Sequence, residues 1–144
     1  MAESYLTLRV TYDDLPDMIE IAAELCHGRW SALAEFYVSP KLLSDAASIV
    51  EWSRSPKAPL QYGSGIDGAA GGFILAFRTV DSAQHVGCAI QLVTREVSRE
   101  SAPRISLEMP TELGLVERFG LECVALGRTL RGEARLIGLP PLHG

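Results

Sequence analysis

The chain has 144 residues, among them 13 Lys or Arg and 18 Asp or Glu, and its formal net charge is −5. This length fits one domain spanning residues 1–144, and the acidic balance is the opposite of what binding to a nucleic-acid backbone requires. A hydrophobic share of 47% with 22% charged residues excludes an intrinsically disordered chain. We therefore expect one folded domain that does not bind nucleic acid.

The N-terminal segment and the cysteines indicate a cytoplasmic protein. The first ten residues contain no apolar run of signal-peptide length, and no stretch approaches the roughly twenty apolar residues of a membrane helix. Cys26, Cys88 and Cys123 lie far apart and lack the paired spacing of a zinc site or a redox motif. We expect no membrane segment, no disulfide framework, no metal site and no cofactor.

Three strands are predicted at the start of the chain. Apolar and polar residues alternate over residues 4–12, 19–25 and 30–38, which is the period of a half-buried strand. The connection between the second and third strands is so short that it joins only antiparallel neighbours. The sequence therefore predicts an antiparallel meander.

A helix is predicted to follow the meander. Ser39 suits the N-cap position and Pro40 the first helical position. Apolar residues then recur at helical spacing to about Arg54, and they form one stripe: Leu42, Leu43, Ala46, Ile49 and Val50.

The longest loop is predicted from Pro56 to Gly72, with a short strand near residues 60–63. It contains the pattern G-x-G-x-x-G at residues 63–68. A dinucleotide site needs a helix directly after this pattern. Because residues 73–80 alternate as a strand does, the sequence does not predict a phosphate site here.

The second half of the chain is predicted to be a hairpin, a strand, a helix and a final strand. Alternation over residues 73–80 and 86–94 indicates the hairpin, and residues 105–109 indicate the next strand. Steps of three and four predict a helix over residues 110–132, and residues 134–138 predict a last short strand. The helix has one apolar stripe: Val116, Phe119, Cys123, Leu126 and Leu130.

This order, β-β-β-α-β-β-β-α-β, is typical of the α+β class. We expect one curved, mainly antiparallel sheet of about six to eight strands, with two helices packed on a face or an edge.

A candidate site lies around the turn of the hairpin. His85 opens a strand just after Asp81, a carboxylate that would hold the imidazole in one orientation. With Tyr62 nearby, these residues predict a pocket between the sheet and the helices. The alternative interpretation is a structural hydrogen bond within the turn. His27, His85 and His143 lack metal-ligand spacing, and the chain has no serine in a G-x-S-x-G nucleophile turn.

Three glutamates of the meander form a second candidate site. Alternation places Glu20, Glu24 and Glu35 on one face of the sheet. Such a face is either solvated, a source of paired carboxylates for acid-base chemistry, or a docking surface for a basic partner.

Two segments carry a resemblance to known sequences. The first comprises Gly28-Arg29-Trp30, Phe36-Tyr37-Val38, Ser39-Pro40 and Leu42-Leu43. The second comprises Gly72-Phe73, Asp81, His85, residues 105–110, Phe119 and Gly132-Glu133-Ala134-Arg135-Leu136. At these positions the chain resembles an uncharacterised bacterial domain family of unknown function and, more distantly, the WapI-type immunity proteins of polymorphic toxin systems. The resemblance implies a small sheet-and-helix domain without an established active site, and a protein-binding role.

Two functional hypotheses follow from the sequence. The first is a non-enzymatic domain that binds another protein as an immunity-like or accessory factor. The second is a small enzyme or ligand-binding domain with its pocket near His85. A mean hydropathy of +0.14 also suggests a homodimer formed through sheet edges or through the apolar stripe of a helix.

Overall fold

The structure is a computed structural model that describes residues 4–66, 70–95 and 104–139. Within these residues it is an α+β fold of eight strands and three helices. The strands are β1 (Ser4–Asp14), β2 (Met18–His27), β3 (Trp30–Val38), β4 (Leu60–Gly65), β5 (Gly72–Thr79), β6 (His85–Val93), β7 (Arg104–Glu112) and β8 (Glu133–Ile137). The helices are α1 (Lys41–Ser44), α2 (Ala47–Arg54) and α3 (Leu113–Thr129).

The strands form two four-stranded antiparallel sheets, not the single curved sheet that we expected. The first sheet has the order β3-β2-β1-β8, and the second has the order β4-β5-β6-β7. Alternation shows which side chains face the core, but it does not show which strands lie side by side. The predicted meander is confirmed in β1 to β3, and the predicted hairpin is confirmed in β5 and β6.

The two sheets are joined by hydrogen bonds at two corners. At one corner, the backbone N–H of Arg95 donates to the carbonyl of Glu35 at 2.7 Å. The N–H of Glu35 donates in turn to Thr94 Oγ1 at 3.1 Å. At the other corner, Thr111 Oγ1 donates to the carbonyl of Ile137 at 2.7 Å. The inner faces of both sheets and residues of all three helices form one buried apolar cluster.

The first predicted helix is two short helices, α1 and α2, joined at Asp45 and Ala46. The N–H of Ala46 donates to the Leu43 carbonyl at 3.2 Å, and the N–H of Ser48 donates to the Asp45 carbonyl at 3.1 Å. These i to i+3 bonds tighten the chain where one regular helix was expected. The predicted apolar stripe is still turned inward: Leu42 is partly buried and Leu43, Ala46, Ile49 and Val50 are buried.

Helix α3 begins later than we predicted, because strand β7 continues through Pro110 to Glu112. Strand β7 lies at the edge of its sheet, where the missing N–H of a proline is tolerated. In the described part of the chain, no helix is both long enough and apolar enough to cross a membrane.

Two glycines of α3 allow the other helices to come close. A Cβ added at Gly120 would lie 2.8 Å from Val50 Cγ2 of α2. A Cβ added at Gly127 would lie 2.9 Å from Leu43 Cβ of α1. The short helices therefore pack against the glycine-bearing side of α3.

The predicted loop from Pro56 to Gly72 contains a strand, β4, that is longer than the short strand we expected. Gly63 and Gly65 have φ values of 152° and 82°, and the pairing of β4 with β5 shifts register between them. The last glycine of the G-x-G-x-x-G pattern lies outside the described residues.

Candidate functional site

A depression of about 410 Å³ lies on the second sheet, beside the turn that joins β5 to β6. Alternation puts His85, Gly87 and Glu108 on the outer face of this sheet, since their neighbours Val86 and Cys88 are buried in the core. The apolar part of the lining is formed by Val80, Val86, Pro110 and Leu139. The polar part is formed by Asp81, His85, Glu108 and Thr111. We call this feature the His85 depression.

The turn between β5 and β6 fixes Asp81 against His85. One Asp81 oxygen, Oδ1, accepts the backbone N–H groups of Ala83 at 2.8 Å and His85 at 3.3 Å. The other, Oδ2, lies 2.7 Å from His85 Nδ1. A carboxylate only accepts hydrogen bonds, so Nδ1 carries the hydrogen and donates it. Gln84, between them, has φ of 68°, a left-handed conformation that few side chains favour.

The contact between Asp81 and His85 shifts the pKa values of both side chains. The hydrogen bond that His85 donates to Asp81 raises the pKa of His85 above its ordinary value, and the charges of Asp81 and Glu112 add to this effect. The same hydrogen bond is the main cause that lowers the pKa of Asp81, together with the N–H of Ala83. Both side chains are 44% exposed, so the pair is accessible from solvent.

An ion pair lies beside the His85 depression. Arg78 Nη2 of β5 contacts Glu108 Oε1 of β7 across the intervening strand β6. Gly87 leaves room for this contact, because a Cβ at that position would lie 2.7 Å from Glu108 Oε1. The charge of Glu108 is therefore compensated by Arg78.

Tyr62 is not among the residues that line the His85 depression. It lies on β4 with 5% of its surface exposed, and its hydroxyl donates to the Leu42 carbonyl at 2.7 Å. Its ring packs edge-on against Phe73, with 5.8 Å between the ring centres. Burial is the main cause that raises its pKa. These contacts attach β4 to α1.

Two of the three glutamates of the meander lie near arginines. Glu20, of which 8% is exposed, pairs with Arg95 at 3.2 Å. Glu24 accepts the Tyr5 hydroxyl at 2.9 Å and lies 4.0 Å from Arg9. The register places Glu35 opposite Ala22, midway between Glu20 and Glu24 on β2. The outer face of the first sheet therefore carries both acidic and basic side chains.

Ser4 and His27 form a contact that the sequence did not reveal. Ser4 Oγ lies 2.5 Å from His27 Nδ1, because the register of β1 and β2 places these residues opposite each other.

Cys88 and Cys123 are buried free thiols. Burial raises the pKa of Cys88 to about 12 and also raises that of Cys123. Neither thiol is suited to nucleophilic chemistry.

Two large apolar side chains of β3 are exposed. Trp30 is 77% exposed and Leu33 is 56% exposed. Beside Trp30 lies a small hollow of about 100 Å³, whose lining includes Leu25, Ile105 and Leu107. We call Trp30 and this hollow the Trp30 surface.

Sequence reasoning missed Glu108, Arg78 and Leu139 as neighbours of His85. Glu108 joins the site because β7 pairs with β6, and Leu139 joins it because its N–H donates to the Pro110 carbonyl at 2.7 Å. Neither pairing leaves a local signal in the sequence.

Comparison of the chain with family models, curated proteins and solved structures found no match. Within the described residues, no three His, Cys, Asp or Glu side chains are arranged so that they could hold a metal ion.

Proposed function

We propose that this protein is a binding domain that takes a small molecule in the His85 depression. The observation that supports this proposal is the position of His85, which is held by Asp81 at 2.7 Å on the rim of a concave, largely apolar site. Binding sites commonly combine apolar walls with a few fixed polar groups.

His85 supplies the directional contact. With Nδ1 bound to Asp81, Nε2 is the ring nitrogen left for a ligand. Thr111 is the one described lining residue with a hydroxyl group. That hydroxyl already donates to the Ile137 carbonyl. No free hydroxyl or thiol therefore accompanies the imidazole among these residues, and this favours binding over catalysis by a serine, threonine or cysteine nucleophile.

The test is a fragment screen followed by NMR. We expect apolar fragments with one polar group to shift the signals of Val80, His85 and Leu139. The variant Val80→Ser should weaken binding, because Val80 is a 50% exposed apolar lining residue. Leu121→Ser is the matched control, since Leu121 is 49% exposed on α3. Hits that respond equally to both substitutions would refute the proposal.

A second candidate function is binding to another protein, in an immunity-like or accessory role. The Trp30 surface supports it, because exposed tryptophans often dominate the energy of interfaces. If a partner or a second copy of the chain binds there, Trp30→Ser should abolish the complex and Leu121→Ser should leave it intact. Sedimentation at the mass of one chain, 15.6 kDa, would refute the homodimer.

We also propose a cytoplasmic location. The buried thiols of Cys88 and Cys123 support it, because free cysteines are typical of reducing compartments.

A further inference from the structure

We propose that the His85 depression selects small amphipathic amines, with the ammonium group bound to Nε2 of the neutral His85 imidazole and attracted by the surrounding carboxylates. This inference rests on the proposed function, and it adds the chemical class of the ligand.

The charges around the depression favour a cation. Asp81 and Glu108 line it, and Glu112 lies opposite His85 in the register of β6 and β7. Arg78 compensates one of these three carboxylates through its contact with Glu108. With a neutral His85, the described groups leave a net negative charge at the rim, which attracts an ammonium and repels a carboxylate or phosphate.

The imidazole adds an acceptor. Since Nδ1 donates to Asp81 at 2.7 Å, Nε2 of the neutral ring has a lone pair that accepts an N–H. An ammonium donates an N–H to Nε2, and Asp81, on the other side of the ring, attracts it through its charge. The protonated ring offers only donors and a like charge, so it opposes the same ligand.

The apolar wall holds the rest of the ligand. Val80, Pro110 and Leu139 line the depression beside the charged rim. An aliphatic or aromatic chain on the amine would bury its surface there.

Amine binding should therefore depend on the protonation of His85. Primary amines stay charged up to about pH 10, so their own charge does not change over the range in which His85 titrates. Asp81 and Glu112 raise the pKa of His85, and the Arg78–Glu108 ion pair lies beside the same depression. Affinity for amines should rise with pH as His85 loses its proton.

The experiment compares hexylamine, hexan-1-ol and hexanoate by NMR titration at about pH 5.5 and about pH 8.5, on either side of the ordinary pKa of histidine. At the higher pH, hexylamine should bind about two- to fivefold more tightly than hexan-1-ol, the effect of partly exposed charges. This preference should shrink at the lower pH. Nα-acetyl-lysine amide distinguishes a free amine from the lysine of a peptide. Tighter binding of the lysine amide than of hexylamine would identify the ligand as the lysine of a peptide, and the reverse would identify it as a free amine. Both results support binding of an ammonium.

Asp81→Asn should reduce the preference for hexylamine, because one of the uncompensated carboxylates is lost, whereas Asp17→Asn, a control on the β1–β2 hairpin, should keep it. Equal binding of hexylamine and hexan-1-ol, or tighter binding of hexanoate, would overturn the inference and leave the proposed function intact. If none of these compounds binds and the fragment screen also finds no ligand, both proposals fail.

Discussion

Asp81 is fixed by donors of its own turn before any ligand arrives. One of its oxygens accepts the backbone N–H groups of Ala83 and His85, and the other accepts the ring N–H of His85. This pair could be predicted from the sequence, because four residues of a tight turn bring both side chains together. Tyr62 could not be placed in the same way, since its position depends on α1 and on the pairing of β4.

Replacing Asp81 with Asn should lower the pKa of His85 toward its ordinary value of about 6.5, because the charge and the main hydrogen bond that raise it are lost. An NMR titration of the imidazole C–H signals measures this. Asp17→Asn should leave the titration unchanged. A His85 pKa that is the same in Asp81→Asn and in the wild type would contradict the geometry described above.

The Asp81–His85 pair should also make stability depend on pH. The raised His85 pKa contributes stability that is fully present below about pH 6.5 and is lost as pH rises through the folded-state pKa. The lowered Asp81 pKa contributes stability present above about pH 3.9 and lost as pH falls through the folded-state value. Urea unfolding of the wild type and of His85→Gln should therefore differ most between about pH 4 and 6.5. A difference that does not change with pH would argue against the pair.

Tyr62→Phe should lower the free energy of unfolding by about 1–2 kcal/mol, because the Leu42 carbonyl loses its donor. Urea unfolding measures the loss, and Tyr12→Phe is the control because Tyr12 is 58% exposed. Ligand titrations in the His85 depression should not change. A change there would assign Tyr62 a role in binding.

At the scale of elements, periodicity predicted the strands well and their ends less well. The split between α1 and α2 depends on i to i+3 hydrogen bonds at Asp45 and Ala46, which the apolar stripe does not encode. Strand β7 passes through Pro110 because it lies at a sheet edge, and an edge is known only once the strands have been paired.

The contact of α2 with α3 gives a prediction about Gly120. Gly120→Ala should lower the free energy of unfolding by about 1–2 kcal/mol, since the crowding of Val50 exceeds the gain of about 1 kcal/mol in helix propensity. Gly114→Ala, on the same helix, should raise it by up to about 1 kcal/mol, because nothing lies within 4 Å of the added Cβ. Chemical unfolding distinguishes the two. If both variants were stabilised, α2 and α3 could not be as close as the structure shows.

At the scale of the whole molecule, the division into two sheets could not be predicted from the sequence. Both sheets turn an apolar face to the core, so the alternation of apolar and polar residues in β1 does not show which strand lies beside it. The long-range pairing of β1 with β8 and the corner hydrogen bonds decide the arrangement. The same corners bring Leu139 and Glu108 to the His85 depression, which is why the complete site could not be predicted.

Thr111→Val tests one of these corners. Thr111 is fully buried, and without its hydroxyl the Ile137 carbonyl would lose a donor, so the free energy of unfolding should fall by about 1–3 kcal/mol. Thr79→Val, at an exposed position of β5, should change it by less than about 0.5 kcal/mol. Urea unfolding measures both variants. Equal stability of the two would mean that the corner bond is dispensable.

The pairing of β1 with β8 has a consequence for the order of folding. Tyr5 lies opposite Ile137, so the first sheet closes only after the chain has been synthesised beyond Ile137. Contacts between residues so distant in sequence slow folding. The meander can form early on the ribosome, but one edge of β1 stays unpaired until β8 emerges. That edge is where a nascent chain would be most exposed to aggregation and most dependent on chaperones.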